Sequence, residues 1–281
     1  MPNEGHAVGR LVRPGTTVLA GDVRWEPKSA TVDVEAMEGA DAVVHLAGAS
    51  IGESRWTPQQ KALIRSSRVD STRLLVDAIS HMRRKPRVLL CASATGYYGD
   101  RGDEVLTESS GCGNDFLALL ARDWEGEAAR ASHAGLRTVM LRFGVILSAD
   151  GGALPRMITP FKLGFGGRFG SGRQWMSWIA LDDVIGIIRT AINNEEVAGP
   201  VNVVSPAPVQ NAEFARVLAA TLHRPAVIPV PAFALRVALG EMAEPLLLYS
   251  QRVRPERLIE IGYRFQFDDL SEALQAILAK S

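Results

Sequence analysis

Short apolar runs along the chain alternate with longer segments whose apolar positions recur at helical spacing. Residues 6–13 and 17–23 read as two short strands, the first stopped by Pro14-Gly15. Residues 32–38 predict a helical turn. Residues 42–47 predict a buried strand that runs directly into Ala47, Gly48, Ala49 and Ser50. Small residues at a strand end let a flat ligand approach the backbone. Pro58 opens a long helix carrying Leu63, Ile64, Val69, Leu74, Leu75 and Ile79 on one period.

Residues 87–93 form the next apolar run, 114–134 a helix, and 136–147 a nearly continuous apolar strand. Continuous runs of this kind suit parallel strands covered on both faces. Residues 148–175 carry seven glycines and predict a long loop with a short helix around Ile158–Phe161. Asp182 is a candidate N-cap for a helix over 183–193, and Asn211 for one over 212–222, with a strand at 200–204 between them. Residues 226–231 read as extended. Residues 232–281 read as helices punctuated by Pro245 and Pro255, with a strand at 263–267. The order of strands and helices predicts an α/β fold with a doubly wound parallel sheet and right-handed crossovers.

Composition adds bounds. The 281 residues suffice for one α/β domain with a smaller lobe, and a net charge of zero gives no electrostatic footprint for nucleic acid. Cys91 and Cys112 have no metal-ligand spacing, and the five histidines form neither a zinc spacing nor a triad, so no metal is expected. Two free thiols point to a reducing compartment. No apolar run reaches the roughly 20 residues needed to span a bilayer, and the first ten residues show no hydrophobic signal, so the expectation is a cytoplasmic protein without a membrane partner.

Four stretches carry a family resemblance. They are HLAGA with the following RWTPQQKALIRSSRVDSTRLL, ASATGYYG, GGRFGSGRQWMSWIALDD, and LRVALGEMAEPLLLYSQRVRPERLIEIGYRFQF. Together they resemble the atypical extended short-chain dehydrogenases/reductases (SDRs) of the epimerase-like group that ends in a DUF1731 module. The resemblance implies a Rossmann-type NADP-binding domain over residues 1–205, with a substrate loop at 148–178. A C-terminal substrate lobe would follow over 206–281, with the DUF1731-like part at 232–281. Gly5-His6-Ala7-Val8 resembles the end of the family's opening strand-turn-helix, so the first strand and its glycine-rich turn, about twenty residues, are expected to be missing. One expectation is therefore a start upstream of Met1.

The same resemblance assigns roles. Arg13, at the end of an early strand, would face the 2′-phosphate of NADP, or be a solvated arginine before a turn. Leu46, Ala47 and Gly48 would line the adenosine side, or simply pack a strand end. Arg68 would reach a cofactor phosphate or ribose, or form a surface ion pair. Ser93 would bind the substrate oxygen and border the cofactor. The Tyr and Lys of a Y-x-x-x-K motif fall at Leu117 and Ala121, neither of which transfers protons. Tyr97 and Tyr98 are then the nearest phenols, with core packing as the competing reading for at least one. Arg142 would need a buried carboxylate or a ligand anion, and Ile146 would flank the nicotinamide. Arg168, Arg173, Gln174 and Trp175 are candidate substrate contacts, or a loop anchored by its tryptophans. Ala180 replaces a family histidine.

The functional expectation is an NADP-linked oxidoreductase or epimerase-like protein for a small polar substrate, with a homodimer as a candidate assembly. The alternative is a non-catalytic nucleotide-binding or scaffold protein on a reductase fold.

Overall fold

The computed structural model describes residues 5–27, 31–225 and 228–279. In chain order the elements are β1 (Leu11–Val12), β2 (Val23–Glu26), β3 (Thr31–Val32), α1 (Val34–Met37) and β4 (Ala42–His45). Then come α2 (Pro58–Ser66), α3 (Val69–Ser80), β5 (Val88–Ala94), a 3-10 turn (Thr95–Tyr98), β6 (Val105–Leu106) and α4 (Phe116–Ala129). The middle of the chain holds β7 (Arg137–Phe143), β8 (Val145–Leu147), α5 (Ala153–Lys162), β9 (Trp175–Met176), β10 (Trp178–Ala180) and α6 (Leu181–Asn193). The remainder comprises β11 (Gly199–Val203), β12 (Val209–Gln210), α7 (Asn211–Thr221), α8 (Ala232–Leu239), β13 (Arg252–Val253), α9 (Glu256–Glu260) and α10 (Leu270–Ala279).

The main sheet is four parallel strands in the order β11-β7-β5-β4. Alternate residues of β5 face opposite layers, as the pleat requires. Leu89 and Cys91 pack toward α3 and α4, with Leu75, Ile79, Leu120 and Trp124. Val88 and Leu90 pack toward α6, with Val184, Ile187 and Ile188. Both faces are covered, which is the physical reason for the continuous apolar run in the sequence. This is the Rossmann-type α/β fold. Among the described residues no strand pairs with the outer edge of β4; β1-β2-β3 form a separate small sheet. A further core joins Leu147, Leu154 and Trp178 to Phe214 and Leu218 of α7 and to Leu270 and Leu274 of α10, tying the 148–178 region to these two helices.

Several expected elements change form. The first strand shrinks to β1, and the second begins only at Val23, because Asp22 caps a tight turn by accepting from Leu19 N at 2.8 Å. The long helix is two helices. It breaks at Ser67-Arg68, where Ser67 Oγ accepts from Ala49 N at 3.0 Å and Arg68 begins a new helix. The strand expected over 136–147 splits at Gly144, where a Cβ would lie 2.4 Å from the Ser177 carbonyl oxygen; β8 leaves the main sheet and pairs with β10. The 148–175 loop contains α5, ten residues long.

Asp182 is not an N-cap, because β10 runs straight into α6 with Ala180 at the cap and Asp182 in the first turn. Asn211 is the first residue of α7, preceded by Gln210, and its Oδ1 accepts from Phe169 N at 2.7 Å. Residues 263–267 form no strand. Their backbone is instead held by buried Asp183, which accepts from Gln266 N at 2.7 Å and Phe267 N at 3.1 Å. Of the extended stretch at 226–231, residues 226 and 227 lie outside the described residues, as do 1–4, 28–30, 280 and 281; Val230 bridges to Phe169.

Candidate functional site

Register brings chemistry together at the C-terminal ends of the parallel strands. Ser93 on β5 is paired with Arg142 on β7, and Arg142 with Asn202 on β11. Neighbours in parallel register share a face, so these three side chains form a polar row across the sheet. Helix α4 packs over that row. Its buried stripe of Ala118, Ala121 and Ala128 is interrupted by one charged residue, Glu125.

Ser93 Oγ donates to Glu125 Oε1 at 2.6 Å. Arg142 grips the same carboxylate twice, Nε to Oε1 and Nη2 to Oε2, both at 2.8 Å. Its Nη1 donates to Tyr98 OH at 3.0 Å and to the Glu108 carbonyl at 3.3 Å. Tyr98 OH donates to Asn202 Oδ1 at 2.6 Å, and Asn202 N donates to Glu108 Oε1 at 2.9 Å. Ser93 and Arg142 are each 3% exposed, and Tyr98 and Asn202 are fully buried.

Burial opposes the Arg142 charge, but its bonds with Glu125 and Tyr98 outweigh it and raise its pKa. Burial pushes the Tyr98 phenol up to about 12 despite the opposing guanidinium. Burial also raises the Glu108 carboxyl, whose Oε2 has no hydrogen-bond partner. The charged partner that Arg142 requires is thus a protein carboxylate rather than a ligand anion.

This geometry does not fit a proton-transfer role for Tyr98: its oxygen is spent between Arg142 and Asn202, out of solvent. Tyr97 is half-buried, with its ring 3.6 Å from the Arg142 guanidinium carbon and edge-on to Tyr98. Leu117, in the tyrosine slot of the motif, abuts the 3-10 turn: a Cβ on Gly96 would sit 3.5 Å from its Cβ. Ala121 is buried. Cys91 is an enclosed thiol, pushed up to about 12 by burial.

Beside the row, the end of β4 is open. Leu46 is 53% exposed, and Ala47 and Gly48 are exposed as well. Arg68 lies across this segment, with Nη1 donating to the Ala49 carbonyl at 2.9 Å and its guanidinium over the Trp124 ring. A Cβ on Gly48 would stand 3.0 Å from the Arg68 guanidinium carbon, so glycine is what lets the two approach. Burial lowers the Arg68 pKa, and no carboxylate lies within ion-pair distance in the described residues. Ile146 is half-buried on β8, and Arg13 is exposed just past β1.

The expected substrate contacts divide. Arg168 and Arg173 are exposed on the loop, and Arg168 Nη1 donates to the Ser171 carbonyl. Gln174 is buried, and its Nε2 is committed to the carbonyls of Phe169 and Leu247. It anchors the loop, leaving no free amide hydrogen for a ligand. Trp175 donates Nε1 to Asp103 at 2.8 Å and carries Arg252 over its ring at 4.4 Å.

A family model of the NAD dependent epimerase/dehydratase family matches residues 4–204, and a domain of unknown function, DUF1731, matches residues 230–277. The chain belongs to the NAD dependent epimerase/dehydratase family. Within that family it is 42% identical over 287 residues to the epimerase family protein YfhF of Bacillus subtilis (strain 168), covering 98% of this chain and 94% of that one. An epimerase family protein of Mycobacterium leprae (strain TN) is 40% identical over 269 residues, covering 96% and 87%. The crystal structure of human epimerase family protein SDR39U1 (isoform 2) with NADPH superposes with a TM-score of 0.83 at 35% identity, covering 86% of this chain and 83% of that one. The family's extended SDR-like fold accounts for the parallel sheet.

Sequence reasoning missed Glu125, Asn202 and Glu108. For Glu125 a signal was present: residues 118, 121, 125 and 128 lie on one helical stripe, and only 125 is charged. Asn202 and Glu108 sit in segments whose partners are distant in sequence and gave no local signal.

Proposed function

We propose that this chain is an NADP-linked oxidoreductase or epimerase-like protein acting on a small polar substrate, with Ser93 orienting the substrate oxygen. The observation that carries the reading is the polar row Ser93–Arg142–Asn202, clamped by Glu125 beside the open end of β4. In doubly wound sheets ligands bind outside the carboxyl ends of the strands, which is where this row and Leu46–Gly48 lie. The residues present fit the adenosine side of a dinucleotide: an exposed strand end of small residues, and a guanidinium without a carboxylate. Arg68 would hold a phosphate or ribose oxygen, Arg13 the 2′-phosphate, and Ile146 the nicotinamide side. The cofactor would supply hydride transfer. Arg168, Arg173 and Trp175 would meet the substrate, and Tyr97 covers the row.

Calorimetric titration with NADPH and NADH tests the cofactor. NADPH binding in the micromolar range is expected, weakened about tenfold by Arg68→Ala, because a charge-assisted contact contributes roughly 1.5–3 kcal/mol. Arg13→Ala should erase the preference over NADH. Absence of NADPH binding would sink the reading.

A second reading, a non-catalytic binding protein on this fold, draws on Leu117 and Ala121 in the motif slots and on the locked Tyr98. NADPH binding without turnover across a broad carbonyl and alcohol panel would favour it.

A further inference from the structure

Among the described residues, every buried hydroxyl but one has a partner inside the protein. Ser93 gives its proton to Glu125, Ser177 to the Gln251 carbonyl, and Tyr98 to Asn202. The exception is Thr95, the first residue of the 3-10 turn that follows β5. It is 7% exposed, and its Oγ1 makes no hydrogen bond. The oxygen is not sealed in, however. Among the described residues the fully enclosed side-chain oxygen without a partner is Glu108 Oε2, so Thr95 Oγ1 faces an opening. Ala94 and Gly96, on either side, are partly exposed, which puts that opening at the carboxyl end of β5.

Burying a hydroxyl without a bond is unfavourable, and valine has nearly the same shape without that penalty. Packing alone therefore gives no reason for threonine at this position, whereas a partner arriving from outside does. Carboxyl ends of the strands are where ligands of doubly wound sheets bind. Tyr97, two residues on, also has an unused phenol oxygen, but its case differs. It is only half-buried, with its ring packed on Arg142 and edge-on to Tyr98, so solvent satisfies the oxygen and nothing further is called for.

We propose that Thr95 Oγ1 is the hydroxyl that meets the substrate oxygen at the end of β5, Ser93 being committed to Glu125. A hydroxyl both donates and accepts, so the group it takes is a carbinol or carbonyl oxygen. The proposal rests on the reading that a small polar substrate binds at this strand end, and it moves the contact from Ser93 to Thr95.

The probe is dihydroxyacetone, which carries both kinds of oxygen, titrated into the full chain without cofactor and followed by saturation-transfer NMR. Thr95→Val should weaken its binding about fivefold, the loss of one neutral hydrogen bond, and Thr95→Ser should restore it to within about twofold of the wild type. Ser93→Ala and Tyr97→Phe should each weaken it less than Thr95→Val does. Thr95→Val should also leave the melting temperature unchanged or raise it, because no internal bond is lost. That split between binding and stability is what a structural role for the hydroxyl would not produce.

Unchanged affinity in Thr95→Val, a fall in its melting temperature, or an equal loss of affinity in Ser93→Ala or Tyr97→Phe would overturn the proposal, as would no saturable binding of dihydroxyacetone by the wild type. An NADPH titration alongside keeps the readings apart. Thr95→Val should bind NADPH as the wild type does; a matching loss there would assign the hydroxyl to the cofactor and overturn the proposal. If the wild type binds no NADPH, the cofactor reading falls, and the dihydroxyacetone affinities still decide the role of Thr95.

Discussion

Replacing Glu125 by alanine would strip a buried guanidinium of its counter-charge. Arg142 is 3% exposed and holds Glu125 through two bonds of 2.8 Å. Its remaining partners, Tyr98 OH and the Glu108 carbonyl, are neutral. Water cannot reach the group to replace the carboxylate, so the cost is that of an uncompensated buried charge, about 3–5 kcal/mol. Ser93 also loses its acceptor, but a hydroxyl can rotate, so its share is small. At roughly 2 °C per kcal/mol for a chain of this size, the melting temperature should fall by about 6–10 °C.

The assay is a double-mutant cycle read by urea unfolding. Glu125→Ala and Arg142→Ala each should lose several kcal/mol, whereas the double variant should lose clearly less than their sum, because it buries no unpaired charge. A Glu125→Ala loss below about 1 kcal/mol, or strict additivity, would refute the argument that this pair is buried and mutually dependent.

Other outcomes follow from the same packing. Burial holds His45 neutral, with a pKa of about 4 against the usual 6.5, so between those values only the unfolded chain takes the proton. Stability is then complete above pH 6.5 and falls as pH drops toward 4, by on the order of 3 kcal/mol; urea midpoints at pH 7.5 and 4.5 should show a steeper fall in the wild type than in His45→Leu. Asp183→Ala leaves the Gln266 and Phe267 amides without their acceptor, at about 1–3 kcal/mol; hydrogen exchange should speed up first at residues 263–267, and unchanged protection there would count against the capping role. Gly144→Ala drives a methyl to 2.4 Å from the Ser177 carbonyl oxygen and should cost about 1–3 kcal/mol or prevent folding, measured by denaturation midpoint.

The hydrophobic pattern and the order of elements predict the doubly wound sheet, because a strand buried on both faces is apolar throughout, as Val88–Cys91 and Val139–Leu141 are. It also predicts that the small residues after His45 end a strand at an open surface. It places Ser93 and Arg142 at strand ends as polar residues needing partners. The partners themselves were beyond it. Asp182 and Asn211 sit where caps belong, yet the chain enters each helix directly from a strand and uses Asp183 and the Asn211 side chain to tie distant segments. Tyr97 and Tyr98 are equivalent in sequence, and only the 3-10 turn decides that one is locked between Arg142 and Asn202 while the other stays half-exposed. Local periodicity reports which face of an element is buried. Hydrogen-bond partners are chosen by strand register and helix docking, which bring together residues as far apart as Ser93, Glu125, Arg142 and Asn202, and so the committed proton of Ser93 became visible only in three dimensions.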